Sequence, residues 1–302
     1  MSKLNFNNTH GGMKRKKVIS KSTAYTVLTI LSICWILPLI WLILQSFGTD
    51  PSAPYGSTYG SEQILPSSYT VDWYVKLFTE TEFGRWYLNT LIIALICMVL
   101  STFFTISMAY VMSRYRFKSR KMIQNVGLIL GMFPGFMSMV AIYYIFKGIG
   151  LAGDVESWKQ NLALIMVYSG SAGLNYYVSK GFFDTVSKSL DEAARIDGAT
   201  NSQVFIKVIL PLSKPIIVYT ALMSFTAPWG DFIFASYILK QNTEAYTVAV
   251  GLYKWIAEAE IPQQVYNLFA AGAVCVAVPI TALFLCLQRY FVEGITGGAV
   301  KG

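Results

Sequence analysis

The sequence predicts an all-α, polytopic membrane protein with six spanning helices, and three observations carry that prediction. The 302 residues are 54% hydrophobic and 13% charged, against about 25% charged in an ordinary soluble domain. The charges sit in short clusters between long uncharged runs at about 24–47, 89–113, 122–146, 162–180, 214–238 and 266–288, each near the roughly 20 helical residues that cross a bilayer core. None of the runs alternates with the period of two that a barrel strand needs, so helices, which satisfy their own backbone groups in lipid, are the spanning form.

The first run follows Lys14, Arg15, Lys16 and Lys17, as a secretory signal would. It is longer than a signal core of roughly 7–15 residues, and no small-x-small cleavage site follows it. It reads as a retained first span behind a basic tail over residues 1–23. Orientation follows from Lys and Arg, which stay on the cytoplasmic side. Eighteen of them precede the first span, fill the stretch from Arg114 to Lys121, lie between Lys180 and Lys214, or sit at Arg289 and Lys301; the alternate loops hold six. Both termini are therefore expected in the cytoplasm, with a cytoplasmic loop over 181–213 and a C-terminal tail over 289–302.

This sorting accounts for the net charge of +8, so no basic face with stacking aromatics is left over for nucleic acid. Cys34, Cys97, Cys275 and Cys286 fall inside proposed spans without paired spacing, which fits packing rather than disulfides or a metal site. The single histidine, His10, lies in the polar tail, and the chain has no G-x-x-x-x-G-K-[ST], H-E-x-x-H or G-x-S-x-G sequence. Neither catalysis nor a bound cofactor or metal is expected of it.

Along the chain, residues 48–88 read as an external loop with turn chemistry at Asp50-Pro51, Ala53-Pro54 and Gly56 to Gly60. Trp86 and Tyr87 at its end read as interfacial anchors. Pro38, Pro134, Pro228 and Pro279 interrupt spans, where each tends to kink a helix. Asp231, within Pro228-Trp229-Gly230-Asp231-Phe232, is the one charged side chain away from a span end. Two readings of it stay open: a boundary carboxylate paired with a neighbouring helix, or, with Trp229, part of a polar translocation path.

The loop between the fourth and fifth spans is dense in helix punctuation. Ser189-Leu190-Asp191-Glu192 spells a capping box, Ala193 and Ala194 favour helix, and Gly198 suits the left-handed residue that ends one. A second box, Thr200-Asn201-Ser202-Gln203, opens another helix that ends near Leu210-Pro211. The spacing predicts an elbow of two short helices, the first over about 190–197.

Glu192-Ala193-Ala194, three residues, Gly198, nine residues, Val208, one residue and Leu210-Pro211 resembles the EAA motif of the membrane-spanning subunits of binding-protein-dependent ABC importers, with Val208 where that family has Ile. Met132-Phe133-Pro134, Phe225 to Phe232, Tyr246 to Leu252 and Phe291 to Gly302 are similar to the maltose and maltodextrin branch, whose six-span permeases have the type I, MetI-like fold. Galactan-oligosaccharide permeases share the Pro-x-Gly-Asp-Phe feature.

The resemblance implies an oligosaccharide importer subunit in a bacterial cytoplasmic membrane, driven by ATP hydrolysis elsewhere. Glu192, Ala193, Ala194, Gly198, Leu210 and Pro211 would form the coupling joint with an ATPase. Gly297 and Gly298 in the tail would reach between two ATPase subunits, which hold ATP and Mg²⁺. Loop 239–265 would meet an extracellular or periplasmic sugar-binding protein, and a second, homologous permease would complete the pore and hold most of the sugar. A stand-alone channel or membrane enzyme has no use for the elbow.

Overall fold

The computed structural model describes residues 9–49, 65–66, 68–132, 135–173, 176–257 and 263–299, the side chains of 9–20, 49, 136, 263–265 and 291–299 excepted. The order is α1 Thr9–Phe47, β1 Gly48–Thr49, β2 Ser68–Tyr69, α2 Asp72–Thr79, α3 Phe83–Arg114, α4 Arg120–Met132, α5 Gly135–Gly148, α6 Ser157–Ala172 and α7 Tyr177–Thr185. Then come α8 Ser189–Ile196, α9 Asn201–Gln203, a π-helical turn Val204–Ile209, α10 Leu210–Leu212, α11 Lys214–Gly230, α12 Ile233–Leu239, a 3₁₀ turn Thr243–Ala245, α13 Val248–Ala257 and α14 Gln263–Ala299.

Three helices among the described residues are long and apolar enough to cross a bilayer, and up to five are if each bent pair is one span. The expected spans at 89–113 and 266–288 lie within α3 and α14. The expected run 24–47 lies within α1, which begins at Thr9, inside the stretch read as a tail. Runs 162–180 and 214–238 are each divided, into α6 with α7 and α11 with α12. Run 122–146 is carried by α4 and α5; Phe133 and Pro134 lie outside the described residues, as do the turn signals from Asp50 to Gly60 and the last three residues. Pro38 and Pro279 sit inside continuous helices. The C-terminal stretch continues helically to Ala299, because no proline follows Pro279 to stop a helix that adds one hydrogen bond per residue.

α3 is the central element. Its sides pack on α11, α6 and α7, while α14 packs on α11, α1 and α2. Two apolar clusters result. One, at the α2 and α13 end, includes Leu77, Phe83, Ile93, Cys97, Ile165, Phe225 and Trp229. The other, at the Arg- and Lys-rich end, includes Ile106, Met112, Tyr176, Phe183, Val204, Ile209 and Ile216. Outside them the described chain exposes long apolar helix faces, Trp35 at 79% and Val99 at 63%, which suit lipid or a partner subunit and would be a liability in water.

Two expectations at the first end are corrected. Trp86 is 5% exposed and donates its indole N–H to the Thr243 carbonyl (3.0 Å), and Tyr87 packs edge-on against Trp229 (centroids 5.4 Å apart). These rings pack against the interior because part of the expected loop 239–265 is ordered over them, as the 3₁₀ turn Thr243–Ala245 and α13. Val248, Val250 and Leu252 are buried there, and Gly251 lies so close that a Cβ would overlap the Trp86 ring.

β1 and β2 clasp the start of the first long connection, Gly48 pairing with Tyr69 and Thr49 with Ser68. The Trp73 indole donates to the Gly48 carbonyl (2.8 Å), as does the Asn267 amide from α14.

Candidate functional site: an elbow locked to the bundle

The elbow forms as spaced, with one change of cap. α8 runs from Ser189 to Ile196, but its N-cap is Lys188 and no side chain caps it. Ser187 instead accepts from the Ser189 N–H (3.3 Å) and shares a 2.7 Å hydroxyl contact with Ser189. The Ser189 hydroxyl is thus engaged with a residue two positions before it, and Glu192 is left exposed rather than folded back. Gly198 has φ of +84°, the left-handed geometry that glycine adopts without a Cβ penalty. The second box is complete: Gln203 N–H donates to Thr200 Oγ1 (3.3 Å) and Thr200 N–H to Gln203 Oε1 (2.8 Å). The π-turn buries Val204 and Ile209, and such turns inside helices recur at functional sites.

The expected joint residues divide by side. Glu192, Ala193, Gly198 and Pro211 are exposed, Ala194 and Leu210 half-buried. Leu190 and Ile196 are 41% and 85% exposed, so the elbow offers two apolar knobs around small residues. Its other side is fixed to α3. Arg114 Nε lies 3.1 Å from Asp191 Oδ2, with the side chains only 2% and 7% exposed. The Arg114 Nη2 donates to the Val186 carbonyl (2.9 Å), and Ser113 donates to Asp184 (2.6 Å), which also holds Lys180 (2.6 Å). Burial acts to raise the Asp184 carboxyl, but Lys180 and Ser113 outweigh it and hold the group below its usual value.

This lock was not among the expected site residues. Arg114 reads in the sequence as one more topological positive charge, and no spacing rule links it to Asp191 across 77 positions. The available signal was an acidic residue beside Glu192 in a helix too short to need two.

Asp231 ends α11, where the chain turns extended (φ −83°, ψ 97°). Its Oδ2 accepts from the Tyr168 hydroxyl of α6 (2.6 Å) and its Oδ1 from the Phe234 N–H of α12 (3.1 Å). The carboxylate thereby pairs with a neighbouring helix. Trp229 is 3% exposed within the apolar cluster, and its indole nitrogen lacks a hydrogen-bond partner among the described residues. Gly297 and Gly298 fall in the last turn of α14, far in sequence from the elbow. No cluster of three or more His, Cys, Asp or Glu suited to a metal occurs among the described residues.

Residues 102–297 match the family described as binding-protein-dependent transport system inner membrane component. The maltodextrin transport system permease protein MdxG of Bacillus subtilis is 38% identical over 287 residues, covering 95% of this chain and 98% of that one. MalD, a maltodextrin permease of Streptococcus pneumoniae, is 37% identical, covering 97% and 100%; the galactooligosaccharide permease GanQ of B. subtilis is 34% identical, covering 96% and 99%. A crystal structure of a bacterial ABC transporter for alginate shares the fold, with a TM-score of 0.73 at 20% identity over 92% of this chain and 98% of that chain. The chain belongs to the binding-protein-dependent transport system inner membrane components, and it is a multi-pass membrane permease subunit rather than an enzyme.

Proposed function

We propose that this chain is one of two permease subunits of an ATP-driven importer that brings malto-oligosaccharides into a bacterial cell. Six spans, with both termini cytoplasmic, place the elbow on the cytoplasmic face. There Glu192, Ala193, Ala194, Gly198, Leu210 and Pro211 seat in one of two ATPase subunits, which hold ATP and Mg²⁺; Gly297 and Gly298 approach the same subunits.

One observation carries this reading: the elbow exposes small residues and apolar knobs outward while a buried ion pair ties its inner side to the central helix. A loop that merely joined α7 to α11 would need neither. ATPase closure moves the elbow as a unit, and the Arg114–Asp191 pair passes that movement into α3. ATP and loaded binding protein drive the change only insofar as each favours the outward-open arrangement. On the opposite face the crevice between Gly153–Gln160 and Leu239–Asn242, together with α13, forms the ground for a sugar-binding protein. The identity to GanQ supports galactooligosaccharide as the second reading of the cargo.

Co-purification with the ATPases and ATP-dependent uptake test the coupling role. Glu192→Arg and Gly198→Val are expected to weaken both; assembly and uptake equal to wild type would sink it. Maltotriose against galactotriose, offered to the cognate binding protein, decides the cargo.

A further inference from the structure

We propose that a crevice of about 390 Å³ between α3, α6, α7 and α11 holds an uncharged sugar in transit, a role for this chain that rests on the oligosaccharide reading above. The crevice lies between the two apolar clusters. On α3, Cys97 belongs to one cluster and Ile106 to the other, and Ser101 and Thr105 fall between them. On α11, Phe225 and Ile216 bracket Thr220 in the same way. A layer of hydroxyl side chains thus crosses the middle of the bundle at one level. It coincides with the interruption between α6, ending at Ala172, and α7, beginning at Tyr177. Helix ends at membrane depth persist only where protein or water covers their freed backbone groups. Thr105 covers one, donating to the Ala172 carbonyl (3.0 Å).

The wall's chemistry selects the solute. Among the described residues, no Asp, Glu, Lys, Arg or His lines the crevice. Most of its hydroxyl protons are committed inward: Thr220 to the Ile216 carbonyl (2.8 Å), Ser171 to that of Tyr168 (3.2 Å), Tyr177 to that of Gln124 (2.7 Å), and Tyr168 to Asp231 (2.6 Å). Each of these oxygens keeps lone pairs, so the wall offers chiefly acceptors to whatever enters. Sugar hydroxyls are donors and suit it. A uronate carboxylate would shed its water here and meet few donors and, among the described residues, no positive charge, a costly transfer. The volume lies within the roughly 300–1,000 Å³ of small-molecule sites, and tyrosine rings with Ala172 and Met223 supply the apolar part that ring C–H faces need.

The test uses the whole complex, with ATPases and binding protein, in proteoliposomes. Ser224→Phe and Ala227→Phe, one turn apart on the crevice wall, are expected to assemble and to lose maltotriose uptake by at least about tenfold, the lower end of what a misfit of one methylene costs a pocket. Ser224→Thr is expected to lose less. In a chain with all four cysteines replaced by alanine, Ser224→Cys hardly changes volume, and ATP-driven turnover with maltotriose is expected to slow its reaction with a small maleimide. Uptake by the Phe variants at the wild-type rate, or labelling indifferent to sugar, overturns the assignment and leaves the importer reading standing. Phe variants that fold but do not pair show the crevice to be a subunit seam and also overturn it. A wild-type complex that moves neither maltotriose nor galactotriose defeats the importer reading itself, and uronate trisaccharide carried as fast as maltotriose refutes the claim of an uncharged solute.

Discussion

Exchanging Arg114 for methionine keeps most of the stem's volume and deletes its guanidinium, stranding the Asp191 carboxylate in a site where its side chain is 7% exposed. Breaking a buried pair by removing one partner costs about 3–5 kcal/mol, because an uncompensated charge remains inside. The same change removes the bond from Arg114 Nη2 to the Val186 carbonyl. The geometry of the pair is imperfect: Asp191 Oδ1, Arg114 Nη1 and Arg114 Nε itself lack hydrogen-bond partners among the described residues, so the 3.1 Å contact is an ion pair without a hydrogen bond and owes its place to mutual neutralisation. Asp191→Leu alone is therefore expected to cost about as much as Arg114→Met alone, near 4 kcal/mol. The double variant buries no charge, and such replacements are often close to neutral; it should lie within about 1–2 kcal/mol of wild type, the residue being the lost Val186 bond. Denaturant midpoints of the four proteins in mild detergent close the double-mutant cycle. Single variants within experimental error of wild type, or a double variant carrying the sum of two large losses, would refute the lock.

Gly251→Ala places a methyl inside the Trp86 ring, and overpacking of this kind costs about 1–3 kcal/mol; a thermal midpoint in detergent shows it, and Trp86→Leu in the same chain should restore part of the loss. At Gly198 an added Cβ meets nothing within 4 Å, so only the φ of +84° resists: Gly198→Val should destabilise the elbow by about 1–2 kcal/mol and Gly198→Asn by clearly less, read by limited proteolysis of the elbow. Because the fold holds Asp184 below its usual carboxylate value, its contribution to stability is fully present above about pH 3.9 and is lost as pH falls through the lower folded value. Asp184→Asn should therefore flatten the acid limb of a stability profile, by under about 1 kcal/mol since the group is half exposed.

The apolar runs fixed the helical class because uncharged stretches of that length have one stable form in lipid. The elbow was equally legible, since Gly198 and the Thr200 box are local signals with local causes. What stayed hidden was long-range. Trp86 had the composition of an interfacial ring, and only the folding of residues 243–255 over it makes it interior. The breaks after Ala172 and Gly230 carry no proline at the break itself; Pro228 lies inside α11, and the second interruption comes from Asp231 bonding both Tyr168 and the start of α12. The crevice needs four helices to exist, and no window of sequence contains them.

The two-residue strands at Gly48–Thr49 and Ser68–Tyr69 have a consequence for how this family can vary. Gly48–Thr49 and Ser68–Tyr69 are tied to each other and to Trp73 and Asn267, so an insertion between these strands leaves in place the clasp that joins α1 to α2. Each doubling of a flexible loop adds only about 0.6 kcal/mol of closure entropy. The clasp thereby decouples the length of that connection from the packing of the helices, and a tag or foreign epitope inserted between the two strands is expected to leave the thermal midpoint of the bundle unchanged.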